Sequence, residues 1–517
     1  MRPQTQTSSQ AGFPRDVDLL TATIQDLQGH LRKGTLTSVQ LVAEYIRRIE
    51  ENNQQGLELR AVIEIAPKDK LLDIAQQFDD LRKQGVSKGE LHGIPILVKD
   101  SIATDPALGM QTTAGCLALV DSVVPRDATV IANLRAQGAI ILGKTNLTEL
   151  STFRSDVPNG YSQRGGQCQS AYVAGLDPSG CSSGSAVAVS AGFAPAAVGA
   201  EVYGGLVMPA SRNACFAIKP TMGIVSQTGL IPCALSMDSI GPLAKSAYDA
   251  ALLLTCMAGK DEKDVSTHGP VAQDYTRFTN KPFATFKDKK LGVPRSHMFD
   301  GGIWGAWGND AKLIKQVQEA FDQAIKKMES LGASIIDPAN VTSLEAMEGN
   351  TTTRLWGQHE FKENFEAYLQ SLKSSNVRTL KDVVEFNKNH VDKDATEHGS
   401  QEKLAAALRG GGTKSKAYEA AIAQGELLSA EHGVDKLLDD LKVDALVAPV
   451  NYRMARYAAL DGTPLVIVPL GVYDNGAPFG LCFVGRSGSE SILIALMAAF
   501  EEGFSPRPLP SRIQSSD

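Results

Sequence analysis

The stretch DATVIANLRAQGAIILGKT, residues 127–145, decides the fold. Its first half spaces Val130, Ile131 and Leu134 as a helix does, Gly138 stops that helix, and AIILGKT follows as a short apolar strand. Helix, glycine stop and strand in that order make an αβ unit of the kind that builds parallel sheets. Upstream, LHGIPILVKD (91–100) is a β-branched run after a turn, ending in a lysine where a buried parallel strand meets its loop. TLTSVQLVAEYIRRIEENN (35–53) is an amphipathic helix with a Thr/Ser start and Leu41, Val42, Tyr45 and Ile49 on one face.

The alternation returns in the second half. Residues 310–337 read as helix then strand; DALVAPV (444–450), TPLVIVPLGV (463–472) and PFGLCFVG (478–485) read as strands, and SESILIALMAAFEEGF (489–504) as a closing helix. The sheet is therefore expected to draw on both ends of the chain. Residues 345–432 between them are helical and polar, with three glycines at 410–412, and are expected to form a cap or lid within the domain. The Ala-rich apolar stretches at 183–200 and 489–500 are broken by Ser, Gly or charge and read as core helices, so no membrane span is expected.

The 517 residues are 43% hydrophobic and 21% charged, an ordinary globular composition. A net charge of −7 without a basic block argues against a nucleic-acid partner and for small-molecule ligands. Seven cysteines in an odd, unpaired scatter and a polar first sixteen residues fit a reducing, cytoplasmic setting. The eight histidines show no metal-ligand spacing, and no HExxH, P-loop or dinucleotide fingerprint occurs, so neither a metal nor an organic cofactor is expected.

Two segments can carry chemistry. DPSGCSSGSAVAVSAG (177–192) is a Gly/Ser turn running into a small-residue helix, whose backbone N–H groups can receive negative charge and polarise a Ser or Cys. Commonplace helix starts look the same. GAEVYGGLVMPAS (199–211) is a glycine-rich loop with no Ser, Cys or Thr before Ser211, so its reactive atom must come from elsewhere. Lys99, at the end of an apolar strand, is either functional or a lysine reaching water.

In order, HGIPILVKD, GKTNLTEL, DPSGCSSGSAVAVSAG, GAEVYGGLVMPAS, AIKPTMGIVS and SMDSIGPLAKSAYDAALLL resemble the amidase signature family over residues 18–510, leaving a polar tail at 1–17 and a short tail at 511–517. The resemblance implies an α/β fold, an α/β/α sandwich around a large mixed β-sheet, and a Ser-Ser-Lys triad for amide hydrolysis without a cofactor. It places the triad lysine on Lys99, the serine of the unusual cis backbone setting on Cys181, and the nucleophilic serine on Gly205; the spacing of 24 residues between the last two keeps the family register. Ala200 stands where threonine is common and Tyr203 where a small or acidic residue is usual. The backbone N–H groups of Val202, Tyr203, Gly204 and Gly205 would form the oxyanion hole, with Ser182 beside them.

Loss of the serine costs on the order of 10⁶ in turnover, about 8 kcal/mol, while an intact oxyanion site retains roughly 10³–10⁴ over water. Three readings follow. One is a pseudo-amidase that binds or processes a small acyl or amide ligand, with room for a protein partner. A second is a repurposed enzyme in which Cys181 and Lys99 supply a thiolate nucleophile or base, since a free thiol near pKa ~8.5 yields its proton to an amine near ~10.4. The third is an active amidase working through Ser182, Ser183 or a water on Lys99. Trp304 and Trp307 in GGIWGAWGND (301–310) are candidates for a pocket rim, and HEFKENFEAYL (359–369), with Trp356 before it, for either an entrance or core.

Overall fold

The computed structural model describes residues 13–269, 271–296, 310–339, 352–390 and 400–514. In chain order the strands are β1 (Val62–Ile65), β2 (Pro95–Lys99), β3 (Ile140–Thr145), β4 (Tyr161–Ser162), β5 (Gly166–Gln167), β6 (Ala196–Glu201), β7 (Phe216–Lys219), β8 (Ser239–Ala244), β9 (Lys290–Gly292), β10 (Ser334–Ile336), β11 (Ala445–Pro449), β12 (Leu465–Val472) and β13 (Pro478–Val484). Among the described residues, all but the β4–β5 hairpin join one eleven-stranded mixed sheet in the order β1-β3-β2-β6-β8-β7-β12-β13-β11-β9-β10. The N-terminal strands form one half and the C-terminal strands the other, meeting where β7 pairs antiparallel with β12.

Every residue of β2, β3, β6, β8, β11 and β13 is buried, which requires layers on both faces of the sheet. The helix Thr129–Ala136 feeds β3, which lies parallel to β2, as 127–145 indicated. The stretch 183–200 departs from its reading as one core helix: the helix Ser183–Ser190 ends, Gly192 turns at φ +70°, and Ala196–Glu201 continues as β6. A short apolar run suits either form, and the glycine decides between them. That helix is buried at every residue and built from Gly, Ala, Ser and Val. A Cβ at Gly184 would collide with the backbone of Asn146 and Ala61, so the close approach needs glycine.

The region expected as a cap contains the helices Thr352–Ser371, Leu380–Asn389, Glu402–Arg409 and Lys416–His432, the first packing on the last two. Residues 511–514 are docked: Ile513 is buried, and Arg512 donates to Ser170 O at 2.5 Å. Trp304 and Trp307 lie outside the described residues, as does the side chain of Trp356; of the 301–310 segment only Asp310 is described, capping the helix Ala311–Ser330.

Candidate active site

Lys99 ends β2 with no exposure to solvent, and its Nζ lies 3.0 Å from Cys181 Sγ. The sequence had left a snorkelling lysine open; the structure turns the amine inward. Cys181 sits in the turn before the helix Ser183–Ser190, preceded by Ser179 and Gly180 at φ +63° and +58°. Thr148 holds this turn, its N–H donating to Cys181 O at 3.3 Å and its hydroxyl to Gly180 O at 3.2 Å. The cis peptide bonds among the described residues precede Pro282 and Pro338, so the cis setting implied by the family pattern is absent at Cys181.

The glycine loop closes over the thiol. Ser182 N–H donates to Gly205 O at 2.7 Å, fastening the turn to the loop. A Cβ at Gly205 would fall on Cys181 Sγ, nearer than real Cβ atoms approach anything, and 3.0 Å from Ala200 O. Cys181 Sγ therefore fills the space in which a side chain at 205 would begin. A Cβ at Gly204, at φ +119°, would strike the Tyr452 ring.

Glu201 revises the expected oxyanion hole. It is fully buried, and its carboxylate accepts the N–H groups of Gly204, Gly205 (3.0 Å), Leu206 (2.7 Å) and Val207 (2.9 Å). A carboxylate at the start of the helix Val207–Arg212 is the favourable partner for those amides. Two of the four expected oxyanion donors are thus engaged inside the protein, while Val202 and Tyr203 belong to the cavity lining. Ser182 also departs from its expected place: its hydroxyl donates to Ala200 O at 3.0 Å and accepts from Ala200 N at 3.1 Å, which turns it to β6 and away from the cavity.

A cavity of about 70 Å³ opens on this arrangement, lined by Cys181, Gly180, Gly205, Gly204, Val202, Tyr203, Ser151, Thr152, Phe153, Asn159 and Tyr452. Its far wall is unusual backbone: Leu150, Ser151 and Thr152 have φ of +47°, +51° and +78°. Such conformations cost about 1–3 kcal/mol each and persist where surroundings over-determine them. Here the buried Arg154–Glu149 ion pair at 2.6 Å and the N–H of Gln163 on Glu149 (2.9 Å) brace one side. The helices Thr352–Ser371 and Glu402–Arg409 brace the other, with Phe361 stacked on Phe153 at 4.6 Å and Lys403 Nζ donating to Thr152 O at 3.2 Å. Burial pushes the Asp238 carboxyl up to about 7, against the N–H groups of Cys233 and Ala234, and raises the Cys233 thiol well above its ordinary range.

The structure thus gathers Lys99, Cys181, Val202, Tyr203, Gly204 and Gly205, and leaves Ser182 and Ser183 outside the cavity lining. Sequence reasoning missed Ser151, Thr152, Phe153, Asn159 and Tyr452. Tyr452 was within reach, because it opens the helix Tyr452–Leu460 directly after β11, where ligands gather in α/β sheets.

The family model for amidases matches residues 40–457. A probable amidase from Arabidopsis thaliana is 35% identical over 98% of this chain and 94% of its own length. A putative amidase from Schizosaccharomyces pombe is 30% identical over 97% of this chain and 88% of its own length. A native peptide amidase from Stenotrophomonas maltophilia superposes with a TM-score of 0.85 at 35% identity, covering 95% of this chain and 98% of the other. The chain belongs to the amidase signature family.

Proposed function

We propose that this protein cleaves a C–N bond of a small amide or peptide amide with Cys181 as nucleophile. The observation that carries the reading is the position of Cys181 Sγ, 3.0 Å from Lys99 Nζ and in the space where a side chain at 205 would start. Sulfur thereby stands at the mouth of the cavity with an amine behind it. The thiol proton passes to Lys99, the thiolate adds to the amide carbon, and the C–N bond breaks as the leaving nitrogen takes that proton. Water then hydrolyses the thioester and returns the thiol. The cavity, with Val202 and Tyr203 in its lining, admits an amide group with the first atoms of its acyl chain. The name of the similar peptide amidase supports peptide amides as the first substrates to try.

Quenching the protein with a peptide amide and weighing it intact tests this. The expected result is an acyl adduct on Cys181 that hydroxylamine removes; an adduct elsewhere, or turnover that survives Cys181→Ala, overturns it. The engagement of Gly204 and Gly205 N–H by Glu201 favours a second reading, in which the site holds an amide or acyl ligand without turnover. Ligand binding with neither adduct nor ammonia would select it.

A further inference from the structure

A second cavity, of about 330 Å³, lies at the other end of the strands. Gly205 follows the C-terminal end of β6, whereas Lys245 follows β8, whose last residue, Ala244, pairs with Ala196 at the N-terminal end of β6. Five strand steps at ~3.3 Å place the two sites roughly 17 Å apart along the sheet. The cavity shares no residue with the first, and its lining joins Thr21 and Thr23 to Ser505, Pro506, Arg507 and Leu509 from the other half of the chain.

Its lining divides by chemistry. Phe216, Phe500, Pro469, Pro506 and Leu509 make an apolar wall, while Lys245 and Arg507 bring two basic groups to one place. Lys245 is 3% exposed and is held by the carbonyls of Leu19 (2.5 Å) and Ala22 (3.3 Å). Arg507 Nη2 donates to Leu20 O at 2.5 Å, and its guanidinium lies within side-chain hydrogen-bonding reach of the Tyr172 phenol. Glu501, the carboxyl of the lining, is committed to Ala247 N–H at 2.9 Å. Burial pushes the Glu501 carboxyl up to about 7 and the Lys245 amine well below its usual range. Two basic side chains against one carboxyl leave the lining one formal positive charge in excess.

We propose that this cavity binds a small monocarboxylate with an apolar body, its carboxylate on Arg507 and Lys245 and its ring or chain against Phe216, Phe500 and Leu509. The proposal stands whether or not Cys181 is a nucleophile. Phenylacetate is the probe and phenylacetamide, of the same shape without charge, its control; acid and amide are compared by titration calorimetry on the full-length Cys181→Ala variant, in which the proposed turnover of amides at the first site is removed. Phenylacetate is expected to bind at least ~10-fold more tightly than the amide, and Arg507→Gln to weaken it by ~10-fold or more while Cys181→Ala leaves it unchanged. Leu509→Trp, which fills the cavity from its apolar wall, is expected to exclude phenylacetate and keeps the test alive where Arg507→Gln fails to fold. Equal binding of acid and amide, loss of binding in Cys181→Ala, undiminished binding in a folded Arg507→Gln or Leu509→Trp variant, or no binding to the natural protein overturns the proposal.

Discussion

Replacing Gly205 by alanine probes the geometry on which the functional reading rests. The backbone at 205 lies outside the left-handed region, so alanine meets no conformational penalty there, and its effect is steric. The new Cβ falls on Cys181 Sγ, where ordinary contacts need roughly 3.5–4 Å, so the sulfur must retreat by about an ångström or more. Ala200 O, 3.0 Å from the same Cβ, blocks relief on that side. Retreat stretches the 3.0 Å contact with Lys99, a fully buried amine. Overpacking costs about 1–3 kcal/mol and a lost bond to a buried polar donor about 1–3 kcal/mol, so Gly205→Ala should destabilise by roughly 2–6 kcal/mol. With Cys181→Ala in place there is no sulfur to displace, and the same substitution should cost under ~1 kcal/mol. The double-mutant cycle in urea should therefore show a coupling of about 1–6 kcal/mol. Over 517 residues, at ~2.1 cal/mol/K each, that corresponds to roughly 1–6 °C in melting temperature. Additivity within ~0.5 kcal/mol would refute the claim that the two positions share one space.

Arg154→Met leaves Glu149 buried without its partner and should cost about 3–5 kcal/mol in urea unfolding. Phe361→Ala removes the ring stacked on Phe153 and should cost about 3–5 kcal/mol, with the larger fractional loss in amide affinity measured at the Cys181 cavity. Glu201→Gln keeps the size but gives up charge-assisted bonds to the loop amides, and should lower stability by about 2–4 kcal/mol in thermal melts. Burial holds the Asp249 carboxyl near 7, above its ordinary 3.8, so the folded state keeps a proton that the unfolded chain releases. The stability this contributes is full below pH ~4 and lost as pH rises towards 7; Asp249→Asn should therefore gain on the natural protein over that window by on the order of 3–4 kcal/mol, read from urea midpoints at pH 4 and 7.5.

The parallel pair β2–β3 and the C-terminal strands were legible because their apolar runs end in clear turn residues. Strands β1, β7 and β9 are three or four residues long, too short for a periodic signal, and β6 hid in the alanine-rich run behind Gly192. The family pattern brought Lys99, Cys181 and Gly205 together, and in the folded chain they meet. It could not show that Cys181 and Gly205 are one packing solution, since a clash between side chain and backbone has no sequence signature. Glu201's grip on the loop amides was equally hidden: a carboxylate in a glycine loop reads the same whether it faces ligand or backbone. Phe153 and Tyr452 reach the cavity from segments some 300 residues apart, a contact only the sheet order makes.

Ammonia release from a panel of small primary amides and peptide amides, compared between the natural protein, Cys181→Ala and the double variant Cys181→Ser, Gly205→Ser, tests the central claim most directly. A thiol nucleophile predicts release by the natural protein and a fall of ~10³-fold or more in Cys181→Ala. Release undiminished in Cys181→Ala, or appearing only in the double serine variant, would contradict it.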